Sequence, residues 1–402
     1  MMTKFRVSNF AKTMLGAATV LACAACVAPT DTDTDEEIGT VQQGLGWSPY
    51  KHFSDKLGLP SRFQIGLGND VTAAEGWNAN RAAAYELGTK LDIHYMYLSG
   101  FDWRTWNSPE GSYINIHANA AKSRNVIPMF TLYQAAVWGD GNIGAFNDWN
   151  YMNQYWRGVR VMFERLAIFN SPAIVQLEPD LWGYAQQKGG DDPARVPVRV
   201  GSMVPECRDL PENVAGLGKC MIRLGRRIAP KTVIGLSAST FGAYTNGSSD
   251  PWRIASYMNK VGSVEADFIV VETLDRDAGC FEVGSDPNCR RNGTVYWDES
   301  NTRHPNFRDH LSWANAIHRG TGKGLLWWQM PLGVPSGSSG WAGHYRDNRV
   351  RYLFSHVNEF VAAGGVGAVF GTGAPNQTTA RTDGGQFKNV VSSYYKNPTW
   401  YP

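Results

Sequence analysis

Five carboxylates fall at the ends of two short apolar stretches, where they could support acid/base chemistry. Glu178 and Asp180 close one stretch, and Glu272 closes another, with Asp275 and Asp277 on the segment that follows it. Because side chains alternate along a strand, we expect Glu178 and Asp180 to point to the same face. Burial and mutual repulsion would separate the pKa values of such groups, so that one is held protonated and another ionised.

That division of roles is the one that cleavage of a glycosidic bond requires. One carboxylic acid protonates the leaving oxygen, while a second carboxylate attacks the anomeric carbon or activates water. We therefore take Glu178 and Glu272 as the leading catalytic pair, with Asp180 and Asp275 as substitutes. The alternative for any one of these acids is a structural role, either as an ion-pair partner, for example of Arg276, or as a helix cap.

Aromatic and polar side chains accumulate in the same strand ends and loops. Flat apolar faces with polar rims suit the C–H faces and hydroxyl edges of a sugar ring. Each polar residue could equally be a turn residue or a satisfied core group, and an aromatic inside a strand could belong to the core. The predicted substrate-binding residues are Asp70, His94, Tyr97, Trp103, Tyr133, Trp138, Trp182, Asp277, Trp328, Gln329, His344, Asp347, Asn376 and Asp383.

The patterns of other chemistries are missing from the sequence. The stretch 235–239 lacks the last glycine of a Gly-x-Ser-x-Gly elbow, and no His-Glu-x-x-His occurs. His94 has no second histidine at ligand spacing, so we expect no metal site. There is no Walker loop, and no strand runs into a Gly-x-Gly-x-x-Gly turn that opens a helix. We expect no cofactor.

The elements that must position these residues follow an alternating pattern of strands and helices. Runs rich in β-branched or aromatic residues predict eight strands, at 63–68, 92–98, 126–133, 173–180, 233–239, 268–274, 325–331 and 367–371. Apolar spacing near 3.6 predicts helices at 73–90, 114–123, 149–169, 212–228, 250–261, 307–319 and 348–363.

Eight such repeats favour an α/β fold of the (β/α)8 TIM-barrel type with enlarged βα loops. The alternative is a doubly wound open sheet, and the missing phosphate-binding turns count against it. In a (β/α)8 barrel the active site lies at the carboxyl ends of the strands. The fourth and sixth strands would therefore bring their acids to one mouth.

The first 45 residues indicate export. Residues 1–28 combine basic residues with an apolar stretch, as in a signal peptide. A small residue precedes both Cys23 and Cys26, so either cysteine could belong to a lipobox and carry a lipid anchor; an ordinary cleaved signal is the alternative. Residues 29–45 are acidic and of low complexity, which indicates a solvated linker. We expect 46–402 to form a single domain, secreted or held at the cell surface.

Composition narrows the range of partners. The chain has 402 residues, with 38 Lys and Arg against 36 Asp and Glu, and 18% of its residues are charged. This balance argues against a nucleic-acid-binding protein, which needs a basic stripe, and against a disordered one. No long apolar run follows the first 30 residues, so we expect membrane contact only through a lipid anchor. We expect a monomer.

Four cysteines of the predicted domain fall in two close pairs. Cys207 with Cys220 and Cys280 with Cys289 each bracket a loop rich in Gly, Pro or Asn. In an exported chain such pairs predict local disulfides.

Taken together, the acids at two strand ends, the surrounding aromatics and the export signal resemble (β/α)8-barrel glycoside hydrolases, over residues 47–402. The resemblance implies endo-acting cleavage of a β-linked polysaccharide, most simply of the glucan type. Many such barrels place a nucleophilic Glu after the seventh strand, whereas Gln329 stands there in this chain. The stretch 177–181 is similar to a Glu-Pro-Asp-Ser-Leu segment of family 6 cellulases. Their Asp-Arg-Asp-Cys segment precedes it, however, and the related residues 275–280 here follow it.

Two other functions fit the same pattern. One is a muramidase that acts on peptidoglycan, since the signal indicates export and the acids are paired. The other is a barrel that binds polysaccharide without cleaving it.

Overall fold

The computed structural model describes residues 48–71, 77–245, 247–273, 280–281, 284, 287–290, 296–333, 348–371 and 378–402. The predicted signal peptide and acidic linker lie outside these residues.

Eight parallel strands form a closed barrel. In chain order they are β1 (Gln64–Gly68), β2 (Ile93–Ser99), β3 (Ile127–Tyr133), β4 (Ala173–Leu177), β5 (Thr232–Ser237), β6 (Phe268–Val271), β7 (Gly324–Met330) and β8 (Gly365–Gly371). Each strand pairs with the next, and β8 pairs with β1. The predicted (β/α)8 barrel is confirmed, each predicted strand overlaps an observed one, and the open sheet is wrong.

Helices cover the outer face of the barrel. Those in the described part of the chain are α1 (Pro49–Leu57), α2 (Ala83–Glu86), α3 (Ser112–Lys122), α4 (Trp149–Phe169), α5 (Leu181–Gly189), α6 (Val214–Ile228), α7 (Pro251–Val261), α8 (Phe307–Thr321), α9 (Asn348–Ser355), α10 (Val357–Ala362) and α11 (Gln386–Tyr394). None of them is long and apolar enough to span a bilayer.

The helix predictions fail in specific places. The predicted helix 348–363 is two helices, α9 and α10, because the backbone leaves the helical region at His356. The described part of the predicted helix 73–90 contains a short 3₁₀ turn and the single turn of α2. Three helices, α1, α5 and α11, were not predicted.

Side chains on the two faces of the strands form separate cores. The outward side chains pack against the helices. The inward ones fill the barrel, and this inner core also takes in Phe53 and Leu57 of α1. The Phe53 ring meets the Phe268 ring edge to face at 5.3 Å. The helix α1 therefore closes the amino-terminal end of the barrel.

An ion cluster around Asp267 fixes α1 in that position. The Asp267 carboxylate is 2% exposed and accepts from Lys56 Nζ at 2.7 Å and from Arg226 at 2.7 Å. The same carboxylate contacts His52 Nε2 at 3.0 Å and accepts from the Ile234 N–H at 2.7 Å. A buried carboxylate needs such partners, because burial alone disfavours its charge.

The two ends of the described domain meet at this same end of the barrel. The Tyr50 and Tyr401 rings lie 5.3 Å apart. The Tyr401 N–H donates to the Ser61 carbonyl, and the Phe63 N–H donates to the Thr399 carbonyl just before β1 begins.

Both predicted disulfides are present. Cys207 and Cys220 have Cα atoms 5.7 Å apart, and those of Cys280 and Cys289 are 5.6 Å apart. The first bond ties the segment before α6 to the helix itself.

Candidate active site

A cavity of about 990 Å³ opens at the carboxyl ends of the strands. Its lining combines acids, amides and hydroxyls with a large aromatic surface. The described residues that line it are Asn69, Val71, Trp77, Met96, Tyr97, Ser99, Trp106, Asn107, Tyr113, Ile116, His117, Tyr133, Pro179, Asp180, Thr240, Phe241, Glu272, Trp328 and Gln329.

The backbone at three strand ends is left-handed. Asn69 has φ 50°, Glu178 has φ 53° and Gln329 has φ 54°. Asn adopts this region more readily than other residues, whereas Glu and Gln are strained there by about 1–3 kcal/mol each. Such strain persists only where the surrounding structure enforces it, and it is typical of functional sites.

The left-handed turn takes the side chain of Glu178 away from the cavity. Glu178 is completely buried, and its carboxylate accepts from the backbone N–H groups of Gln134 and Ala135, each at 3.1 Å. Burial raises the pKa of Glu178 to about 8, although these N–H groups oppose the shift. Asp180 lines the cavity instead. The prediction that Glu178 and Asp180 point to the same face is therefore wrong.

Two acids line the cavity, Asp180 after the end of β4 and Glu272 after the end of β6. Both are half-buried and line the cavity. Asp180 occupies the N-cap position of α5, yet its side chain makes no capping hydrogen bond. A capping role therefore does not explain this acid.

The charges of both acids act on Tyr97. Its hydroxyl pKa is raised well above the ordinary value, mainly by burial and further by the charges of Glu272 and Asp180. The pKa of Tyr133 is also raised well above its ordinary value, first by burial and then by the charge of Asp180. The Tyr133 hydroxyl donates a hydrogen bond to Asp140 at 2.6 Å. Both phenols therefore stay protonated, and the one hydroxyl proton of Tyr133 is already donated to Asp140.

Aromatic rings form the floor of the cavity. Trp328 lies 5.7 Å from Tyr97 and 6.2 Å from Tyr95, in edge-to-face contacts. Tyr95 fits below because the neighbouring strands carry glycine: a Cβ at Gly371 would lie 2.3 Å from the Tyr95 hydroxyl oxygen. Within the described residues, neither the Trp328 Nε1 nor the Tyr95 hydroxyl has a hydrogen-bond partner.

Three predicted tryptophans lie outside the cavity lining. Trp103 is fully buried and donates to Gln134 Oε1 at 3.2 Å. Trp182 is 1% exposed and donates to the Leu177 carbonyl at 2.8 Å. Trp138 is 51% exposed and packs on Tyr151.

Three predicted polar residues have structural partners. Asp70 Oδ1 and His94 Nε2 lie 2.7 Å apart, and Asp70 Oδ2 accepts from the Ala84 N–H at 2.6 Å. Burial alone would raise the pKa of Asp70, but His94 and the Ala84 N–H bring it below the ordinary value. Asp383 accepts from the N–H groups of Gly385 and Phe387 at the start of α11.

The remaining predicted residues, Asp275, Asp277, His344, Asp347 and Asn376, lie outside the described residues. No group of three or more His, Cys, Asp or Glu side chains in the described ranges could hold a metal ion.

Part of the lining was absent from the predicted site. Tyr113, Ile116 and His117 come from one face of α3, Trp77 comes from a loop, and Phe241 comes from a 3₁₀ turn. Positions spaced by three and four on a predicted helix normally indicate its core face, so nothing in their spacing assigns these three to a cavity.

No protein-family model matches the chain, and no curated protein matches it in sequence. Several solved structures align with most of the chain. An endo-β-1,4-mannanase from Thermotoga petrophila is 10% identical over 85% of this chain and 78% of its own, with a TM-score of 0.46. A ruminal GH26 endo-β-1,4-mannanase is 10% identical over 88% of this chain and 68% of its own, with a TM-score of 0.47. A D-psicose 3-epimerase from Clostridium cellulolyticum H10 is 9% identical over 83% of this chain and 97% of its own, with a TM-score of 0.41. At these identities the likeness concerns the fold alone.

Proposed function

We propose that the protein is an endo-acting glycoside hydrolase that cleaves a β-linked polysaccharide, with Asp180 and Glu272 as its acid/base pair. One observation carries the proposal: two half-buried acids, from the ends of β4 and β6, line the same cavity as Tyr97. Acids in such surroundings can be held in different protonation states, as glycosidic cleavage requires.

Within this pair, one acid protonates the leaving oxygen and the other attacks the anomeric carbon or activates water. The Tyr97 hydroxyl stays protonated under the influence of both charges, so the site keeps a neutral hydroxyl beside its acids. Glu178 does not take part directly, because it is enclosed behind the cavity wall.

The lining supports a polysaccharide as substrate. The aromatic faces of Trp328, Tyr133 and Phe241 suit the apolar faces of sugar rings, and Asn69, Ser99 and Gln329 add polar groups to the same cavity. The volume lies at the upper end of the range for small-molecule sites, so the cavity can hold more than one sugar ring. A glucan-type polymer remains the simplest substrate.

We also propose that the protein is exported, either secreted or held at the cell surface. Two disulfides in one domain support this proposal, since such bonds persist in oxidising compartments.

The test is the release of reducing ends from glucans, xylan, mannan, chitosan and peptidoglycan by the purified protein. Glu272→Gln and Asp180→Asn should each lower kcat by about 10²- to 10⁴-fold on the cleaved polymer. Glu265→Gln is the matched control, because Glu265 is exposed at the opposite end of β6. If either cavity variant retains the wild-type rate, that residue is not part of the acid/base pair.

The same panel separates the alternatives. Cleavage of peptidoglycan alone would identify a muramidase. Tight binding of one polymer without any product would identify a binding barrel.

A further inference from the structure

The cavity extends beyond the two acids into a second compartment. Tyr97 and Ser99 lie on the inner face of β2, whereas Met96 lies on its outer face and packs with the helices. Because all three line one cavity, it crosses the end of β2 and enters the gap in front of α3. We call this part the side lobe and define it by Val71, Met96, Trp106, Tyr113, Ile116 and His117.

The walls of the side lobe are mostly apolar. Val71, Met96 and Ile116 present aliphatic groups, and Trp106 meets Tyr113 edge to face at 5.1 Å. Trp106 is 43% exposed and Ile116 is 45% exposed, so this surface is open to an occupant. Aliphatic walls cannot hydrogen-bond to the hydroxyls of a bare sugar, which would lose their water without replacement. The walls therefore suit a group without hydroxyls.

His117 is the polar residue among those that define the side lobe. His117 is 4% exposed, and its Nδ1 has no hydrogen-bond partner among the residues that the structure describes. Burial lowers the pKa of His117 to about 3, so at neutral pH the ring carries one N–H donor and one lone pair. Because the His117 ring lines the lobe and carries one N–H, the fitting occupant joins an apolar group to a hydrogen-bond acceptor.

We propose that the side lobe binds an O-acyl substituent of the polysaccharide, such as an acetyl ester; this inference rests on the proposed glycoside hydrolase function. The alkyl part of the ester packs against Val71, Met96 and Ile116. The ester carbonyl oxygen accepts a hydrogen bond from His117. An acylated sugar is thereby held next to the acid pair, and the side lobe selects the decorated polymer over the bare one.

The experiment compares two forms of the polymer that the wild-type protein cleaves in the panel above. One portion is lightly O-acetylated with acetic anhydride, and a second portion of that acetylated batch is deacetylated with alkali. The wild-type protein should show kcat/KM about tenfold higher on the acetylated form, as expected for one buried methyl group and one hydrogen bond. The measured quantity is the ratio of the two values within each protein.

Ile116→Asn should reduce this ratio to below about twofold, because a polar side chain then faces the acyl group. Ile168→Asn is the matched control: Ile168 is an exposed helical isoleucine on α4, 66% exposed, and it does not line the cavity. His117→Phe should reduce the ratio as well. Because His117 is buried and its variant can fail to fold, the exposed Ile116 gives an independent test.

The outcomes distinguish the two proposals. Equal or faster cleavage of the deacetylated polymer overturns the side-lobe inference and leaves the hydrolase proposal intact. Cleavage of no polymer overturns the hydrolase proposal. Binding is then measured by tryptophan fluorescence with methyl 6-O-acetyl-β-glucoside and methyl β-glucoside, and a lack of preference for the acetylated sugar, or a preference that Ile116→Asn retains, overturns the inference.

Discussion

A single backbone angle separates the environments of two acids that are only two positions apart. Glu178 adopts φ 53° and its carboxylate is enclosed against the ends of β3, while Asp180 reaches the cavity. Burial keeps Glu178 protonated up to about pH 8. Glu178 therefore has the environment of a protonated structural residue, whereas the half-buried Asp180 is accessible from the cavity.

Glu178→Gln should remove a pH dependence of stability. In the unfolded chain a Glu has a pKa near 4.3, and in the folded protein the pKa of Glu178 is about 8. Between these values the unfolded state binds fewer protons, so the wild-type free energy of unfolding should fall as pH rises, by about 1 kcal/mol per pH unit for this group. Glutamine has no proton to lose, so the variant should show a flatter profile in urea unfolding between pH 5 and 8.

Glu164→Gln serves as the control for that measurement, because Glu164 lies exposed on α4. It should keep the wild-type slope. A Glu178→Gln profile that parallels wild type would show that Glu178 is ionised in the folded protein near pH 6.

The sequence patterns predicted Asp180 and Glu272 as site residues. They did not predict that the side chain of Glu178 would turn away from the cavity. Strand alternation predicts that residues 178 and 180 lie on one face. Nothing in the sequence indicates a left-handed backbone at Glu178, since Gly, Asn and Asp are the residues that normally adopt that region. The same limitation applies to His117, whose helical spacing is that of a core residue. The aromatic floor was easier to anticipate, because Tyr97, Tyr133 and Trp328 all follow from their strand positions.

Among the elements, α1 shows how a short helix can complete a barrel. Its capping is visible in the sequence, since Ser48 precedes Pro49 and Gly58 ends the helix in a left-handed conformation. It escaped prediction because it follows a stretch that indicates a linker. The other missed helices, α5 and α11, are only two to three turns long and lie next to predicted loops.

Asp267→Asn should destabilise the closure of the barrel by α1. The substitution leaves Lys56, Arg226 and His52 around a neutral amide, and breaking such a buried cluster costs about 3 kcal/mol. These partners lower the pKa of Asp267, so its contribution is present above about pH 4 and is lost as pH falls below that value. Urea unfolding should therefore show the largest difference from wild type at neutral pH and a smaller one in acid.

Asp55→Asn on the same helix is the control, because Asp55 is exposed. It should unfold like the wild-type protein. If Asp267→Asn also did so, the cluster would not contribute to stability.

Gly371→Ala should lower stability by about 1–3 kcal/mol through overpacking beneath the cavity. The new Cβ would lie 2.3 Å from the Tyr95 hydroxyl oxygen and 2.6 Å from the Gly68 carbonyl oxygen. Tyr95→Phe removes the first clash and loses no hydrogen bond to a described residue, so the double variant should recover part of the loss. Thermal unfolding of the four proteins in this cycle measures the coupling.

Gly144→Ala provides the comparison, since a Cβ there would meet only the Asn142 side-chain oxygen at 3.6 Å. Additive effects of Gly371→Ala and Tyr95→Phe would show that the two positions do not contact each other.

For the molecule as a whole, the (β/α)8 architecture could be predicted from the sequence because eight apolar runs alternate with helical segments. The exact ends of the strands were harder to predict. The predicted strand 173–180 ends at Leu177, since Glu178 turns the chain and Pro179 cannot donate to a ladder. The site depends on those ends, so its composition could be predicted better than its geometry.

Native cysteine labelling should distinguish the oxidised protein from a reduced one. Cys207, Cys220, Cys280 and Cys289 should resist iodoacetamide until a reductant is added, as read by peptide mass spectrometry. Replacing both Cys207 and Cys220 with alanine should lower the free energy of unfolding by about 2–4 kcal/mol, because their bond restricts the unfolded chain. Alkylation of these four residues without reductant would contradict the disulfide assignment.

The meeting of Tyr50 and Tyr401 behind the barrel has a consequence for engineering. The two ends can be joined by a short linker and the chain reopened in an exposed loop, giving a circular permutant in which each barrel strand keeps both neighbours. A reporter or binding domain attached after Pro402 would project from the side of the barrel opposite the cavity. Fusions at this end should therefore leave the entrance of the cavity unobstructed.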